Sequence, residues 1–166
     1  MNLRDYPFKL SYGPSDDRLH EFYIPALRAS IRYDRMTGYF TSSALAVAAA
    51  GIAHLIAGGG QMRLLVGAQL RPEDVEAIGE GHDLREIVAA RLGAALPDPE
   101  TLADQLMRDR LAALAWMVAT GSLEIRVVLP RAPDGLPLPA SEARDYFHPK
   151  VGIFTDAQGD QIAFSG

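Results

Sequence analysis

The sequence predicts an α/β fold, a mixed β-sheet flanked by helices on both faces, with a helical insertion at about 72–120. Three observations predict it. Met62–Ala68 is a near-continuous apolar run of strand length, the pattern of a strand buried on both faces and placed centrally in a sheet. The alanine-rich stretch Ala44–Ala57 lies between that run and the mixed segment Ser30–Phe40, so strand, helix and strand follow one another as in a right-handed parallel crossover. Leu123–Leu129 then alternates apolar and polar residues, the period of a further strand.

Taken in order, Phe8–Tyr12 reads as a short strand and Gly13-Pro14-Ser15 as a turn. Asp16 and Asp17 stand where a helix N-terminus favours acids, and Leu19, Phe22, Tyr23, Ala26 and Leu27 recur at helical spacing. Pro25 should kink or split that helix, because it has no N–H to donate. His20 on it reads as a surface residue. The mixed composition of Ser30–Phe40 fits a strand beside a site better than a central one. Thr41-Ser42-Ser43 caps the following helix, and its free backbone N–H groups suit either an ordinary N-cap or a phosphate.

Gly58-Gly59-Gly60 ends that helix. No Lys-Ser or Lys-Thr follows it, so it is not a phosphate loop. Arg71-Pro72-Glu73-Asp74 opens a helix to Ile78, Leu84–Leu96 and Thr101–Thr120 read as two more, and the glycines and prolines between them break the pattern. His82-Asp83 reads as turn and cap. Pro130–Ala140, rich in proline, is a loop placed to act as a rim or lid over whatever the next strand carries.

That strand follows Phe147. His148 and Lys150 stand two residues apart, so an extended chain turns both to one face, where an imidazole and an ammonium can meet one phosphate. Gly152 lies on the same face and is expected to floor the cavity, with Pro149, Val151 and Ile153 forming an apolar wall behind. Asp156–Asp160 reads as a hairpin loop and Gln161–Phe164 as the return strand. If Thr155 pairs with Gln161, Gly166 comes to lie across from Lys150. Tyr39 and the Thr41–Ser43 helix start are expected at the rim.

His148-x-Lys150, then Asp156, then the return to Phe164-Ser165-Gly166, resembles the HKD signature of the phospholipase D superfamily. The wording His-Pro-Lys-Val-Gly-Ile-Phe-Thr-Asp, with Arg32-Tyr33-Asp34-Arg35-Met36-Thr37-Gly38-Tyr39-Phe40 upstream, resembles the branch found at the N-terminus of bacterial superfamily 2 helicases of the Swi/Snf type, often in defence systems. Asp156 stands one residue later than the family spacing, and the chain stops within the motif, as a domain excerpt spanning 1–166 would.

The resemblance implies a metal-independent phosphodiesterase or nuclease, free of any cofactor, acting on nucleic acid, DNA first. His148 attacks phosphorus, Lys150 stabilises the phosphoryl charge, and Asp156 holds the other ring nitrogen of the imidazole. Tyr39, Thr41, Ser42, Gly152, Ser165 and Gly166 are expected to contact substrate. One motif supplies one histidine, so the second comes from a later motif in the parent chain or from a homodimer mate. The implied partners are a helicase domain in the same chain and nucleic acid.

A catalytically silent binding or docking module of a helicase is the other reading, and a fortuitous His-x-Lys at a strand start is the third. Composition narrows the field: 48% hydrophobic and 22% charged residues are those of a globular chain, and the absence of cysteine removes disulfides and thiolate metal sites. The four histidines are too scattered to predict a metal site. Met1–Tyr6 has no signal-peptide core, and the Ala44–Ala57 run is too short to span a bilayer, so a cytoplasmic protein without membrane contact is expected and lipid hydrolysis ranks last. The net charge of −5 argues against a broadly basic surface.

Overall fold

The computed structural model describes residues 2–38, 52, 54–68, 72–80, 83, 86–87, 90, 116–143 and 147–166. Among the described residues five strands form one open mixed sheet: β1 (Ser30–Thr37), β2 (Gln61–Gly67), β3 (Leu123–Val128), β4 (Lys150–Asp156) and β5 (Gln161–Ser165). Their order is β3-β2-β1-β4-β5. β1, β2 and β3 are parallel, while β4 runs antiparallel to both β1 and β5. The chain is therefore α/β. The apolar run at Met62 is interior, but the middle strand is β1, whose mixed composition pointed to the periphery.

Registry explains that mixture. Tyr33 of β1 pairs with Met62 and Phe154, and Met62 pairs with Leu123, so these four share a face, and all are buried. Asp34 pairs with Arg63 and Ile153 on the opposite face. There Asp34 bridges Arg32 and Arg63. Burial pushes its carboxyl up, but the two guanidinium groups outweigh this and hold it below the ordinary range. β2 also alternates, with Met62, Leu64 and Val66 buried, Gln61 and Arg63 exposed and Leu65 half-buried, rather than being buried at every residue.

The buried face is held by aromatic rings. Tyr33 and Phe154 stack in parallel at 4.4 Å between centroids. Phe22 meets Phe8, Tyr12, Tyr23, Phe154 and Phe164 at 5.3–5.8 Å, mostly edge to face. Such pairs add roughly 0.5–1.5 kcal/mol each beyond their buried area. Phe8–Tyr12, expected as a strand, has no regular structure. Phe8 and Tyr12 are spent on packing against Phe22 instead of on a ladder.

Pro25, expected to kink or split the first helix, leaves it continuous and changes its hydrogen-bonding pattern. A π-helical turn, Leu19–Tyr23, runs into α1 (Ile24–Ala29), with Pro25 in the first turn of α1. The Glu21 carbonyl, which Pro25 cannot serve, takes the Tyr12 hydroxyl at 3.5 Å. Ile52 and Leu55, from the stretch before Gly58, are buried in the same core as Leu27 and Ala26. Of the expected insertion at 72–120, a helix at Pro72–Gly79 and helical residues 116–119 are described, and the greater part lies outside the described residues. Among the described residues no helix is long and apolar enough to cross a membrane.

Asp156 is a structural clamp. It is 1% exposed, and its carboxylate accepts the backbone N–H groups of Leu3 at 3.0 Å, Gln158 at 3.0 Å and Asp160 at 2.9 Å. It closes the β4–β5 hairpin and ties down the N-terminal turn Leu3–Asp5, with Arg4 on Asp160 beside it. Burial raises its pKa, but these backbone donors more than reverse the effect and leave it lowered. A group lowered in the fold adds stability that is complete above its unfolded value and is lost as pH falls through its folded value. We expect Asp156→Asn to melt at a lower temperature than the wild type at pH 7, and the gap to close on acidification below pH 4 as the wild-type carboxylate protonates. Thermal melts across a pH series check this, and a gap that stays constant would contradict it.

Candidate functional site

Register carries the candidate residues to one edge of the sheet. The parallel strands β1, β2 and β3 end there at Thr37, Gly67 and Val128, β5 ends there at Ser165, and β4 begins there at Lys150. Thr155 pairs with Gln161, as the hairpin reading required, and the Gly166 N–H donates to the Lys150 carbonyl at 2.9 Å. On the other side of β4, Thr37 pairs with Lys150, and the Gly38 N–H donates to the Pro149 carbonyl at 3.1 Å. The chain builds outward from β1 to β2 and β3, then returns to the other flank of β1 with β4. The sheet therefore switches direction between β1 and β4, the place where open α/β sheets form their ligand crevices beyond the carboxyl ends of strands.

His148 sits at that switch point. It is exposed, as is Lys150. Its Nδ1 and Cα each lie 2.6 Å from where a Cβ on Gly38 would stand, and the Phe147 carbonyl oxygen lies 2.7 Å from it. A Cβ on Gly67 would meet the Gly38 carbonyl oxygen at 3.0 Å and the Phe147 ring at 3.2 Å. Two glycines at the ends of neighbouring strands let Phe147-His148 cross the sheet edge at backbone contact. Neither was singled out from the sequence as a site residue, although a glycine closing a strand is the ordinary signal of such an approach.

The other expected residues divide. Gly166 lies beside Lys150. Ser165 reaches the same edge but pairs with Val151, so it faces the side opposite Lys150. Gly152 is no cavity floor. The Phe164 ring fills the place of its missing side chain, with Cζ 2.5 Å and the Tyr33 ring 3.1 Å from a would-be Cβ. The face assignment behind that expectation is reversed inward of Lys150: Gly152, Phe154 and Asp156 are buried, whereas Val151, Ile153 and Thr155 are half-buried.

Asp156 does not hold the His148 imidazole. It closes the far end of β4, about 20 Å from Lys150 along an extended strand. Tyr39, Thr41 and Ser42 lie outside the described residues.

The loop expected as a rim does reach this edge. Pro130, Leu138 and Ala140 share a narrow apolar pocket with Gly38, Gly67 and Phe147. Hydrogen bonds from Leu138 N to Pro130 O and from Ala132 N to Leu136 O, both 2.9 Å, fold the loop back on itself. Of the remaining histidines, His20 pairs with Asp17 at 2.8 Å and His54 contacts Arg28 at 3.3 Å, both on the surface. His82 lies outside the described residues. No cluster of three metal-ligating side chains occurs among the described residues. Chemically, the edge offers an imidazole and an ammonium to an anion, beside a bare backbone that lets the anion approach. Comparison with protein-family models, with curated proteins and with solved structures returned no match.

The Gly38 contact yields a test. Gly38→Ala is expected to push His148 off the sheet edge and to cost about 1–3 kcal/mol through overpacking. The His148 ring resonances should shift in NMR spectra while those of His20 and His54 stay in place. A Gly38→Ala spectrum that leaves the His148 ring unmoved would contradict the contact.

Proposed function

We propose that this chain is a phospholipase D-like phosphodiesterase half-site acting on nucleic acid, set in an α/β sandwich with helices on both faces and a helical insertion over about 72–120. The observation that carries the reading is the placement of His148 and Lys150 together, exposed, at the switch point of the sheet, with Gly166 returned beside Lys150. The HKD resemblance expects an imidazole and an ammonium at one sheet end, and this placement supports that reading.

In the proposed chemistry the His148 imidazole attacks phosphorus. A P–N bond forms, the P–O bond to the leaving strand breaks, and a histidine from a second motif gives its proton to the leaving oxygen. Lys150 stabilises the charge on the phosphoryl oxygens. Water then displaces the imidazole, with the second histidine acting as base. That second motif belongs to a later part of the parent chain or to a dimer mate. DNA is the expected substrate, and a Swi/Snf-type helicase in the same cytoplasmic parent protein is the expected partner. Ser165, with Tyr39, Thr41 and Ser42, completes the proposed substrate contacts. Asp156 leaves the proposal, because its carboxylate is fully used by the hairpin.

One observation favours a second reading, a silent nucleic-acid-binding module. With Asp156 engaged elsewhere, no carboxylate from β4 orients the imidazole. Activity decides between the two. In the paired, full-length protein with excess chelator, His148→Ala is expected to lower phosphodiester cleavage on the order of 10³-fold or more while nucleic-acid binding persists. Acid-labile, alkali-stable labelled phosphate should be trapped on the wild type alone. Cleavage at the wild-type rate in His148→Ala would end the enzymatic reading. Cleavage abolished by chelator and restored by a divalent ion would end the metal-independent one.

A further inference from the structure

Arg35 lies in the upstream stretch Arg32–Phe40, but neither the motif nor the resemblance gives it a role. It lies on β1 two residues before Thr37, on the face that carries Tyr33 and Lys150. Its partner across the ladder is Gly152, and its guanidinium carbon stands 4.9 Å from the centroid of the Phe164 ring, the partner of Gly152 on the far side. The side chain thus passes over the bare backbone at Gly152 and stacks on Phe164. That places its charge one row inside Lys150 and Gly166, whose backbones are themselves bonded. Arg35 Nη1 is buried, and it is the one buried side-chain nitrogen or oxygen without a hydrogen-bond partner among the described residues. Around it on this face stand Leu64, Phe154 and Phe164, and Tyr33, whose hydroxyl interacts with the guanidinium.

A methionine or leucine would fill this position without leaving a charged donor unmatched. Guanidinium stacked on an aromatic ring is held in one plane with its donors pre-oriented, the arrangement suited to a tetrahedral oxyanion. We propose that Arg35 is a phosphodiester-positioning residue, whose half-buried guanidinium takes a phosphate oxygen of the nucleic-acid backbone presented to Lys150 and His148. The inference deepens the proposed function and rests on it. Gly152 acquires a purpose in this arrangement, since any side chain there would displace Phe164 and with it the plane on which Arg35 rests.

The test uses the wild type, Arg35→Met and Arg35→Lys, with a short labelled single-stranded oligonucleotide followed by anisotropy over a salt series. Arg35→Met should weaken binding about tenfold and should make the slope of log K against log salt shallower by about 0.7, the share of one phosphate contact on a single strand. Arg35→Lys should keep the slope and lose part of the affinity, because the charge stays and the fork is lost. Should Arg35→Met fail to fold, the wild type still answers: inorganic phosphate added to the protein should shift the Arg35 side-chain N–H resonances in NMR spectra and compete with the oligonucleotide. Unmoved Arg35 resonances, or an Arg35→Met protein with wild-type affinity and slope, would overturn the role of Arg35 and leave the site standing. A wild type that binds neither probe would overturn both.

Discussion

The stack of Tyr33 on Phe154 decides which way β4 faces, and the rest of the site follows from it. Side chains alternate along a strand, so a slip of one residue would exchange the two faces of β4. Two rings in parallel contact across the β1–β4 ladder, with Phe22 and Phe164 packed around them, remove that freedom. Phe154 turned inward puts Gly152 and Asp156 inward as well. Lys150, at the head of the same row, passes beyond the core into solvent. Asp156 then closes the other end of the strand by gathering three backbone N–H groups, so β4 is fixed at both ends and in its middle.

The proposed site at the end of the sheet where β4 begins depends on that fixation. The β1–β4 boundary is where the sheet switches direction, and it is also where two glycines let the Phe147-His148 backbone cross the strand ends. A core of aromatic rings and a polar edge are therefore consecutive rows of one face. Arg35 stands between them, resting on Phe164 in the row next to Lys150. The opposite face follows a different rule. Its charges are engaged with one another, Asp34 with both Arg32 and Arg63, and Glu124 with Arg126.

Much of this was legible in the sequence. The hairpin and its register were, because a polar loop with a glycine between two short apolar runs leaves few alternatives, and Gly166 was thereby placed against Lys150 before any coordinates. The face of β4 was not. Val151 and Ile153 look more like core than Gly152 does, and only the partner strands show that Gly152 is buried because Phe164 needs its space. Asp156 was misread for a related reason: a carboxylate near a motif suggests chemistry, but its partners include Leu3, 153 residues away in the chain. β1 looked peripheral because Arg32, Asp34 and Arg35 are charged, yet it is the middle strand. Two of those charges lie on the ion-paired face, and the third stacks on a ring. Nothing in the neighbours of Arg35 announces a guanidinium stacked on Phe164 with Nη1 buried.

The most direct measurement is the set of cross-strand nuclear Overhauser contacts around the head of β4 in the isotopically labelled protein. Contacts of Lys150 with Thr37 and with Gly166, together with contacts between the His148 ring and the Gly38 α-protons, are expected. A ladder displaced by one residue, with Lys150 opposite Ser165 and the His148 ring away from Gly38, would contradict the register on which the site depends.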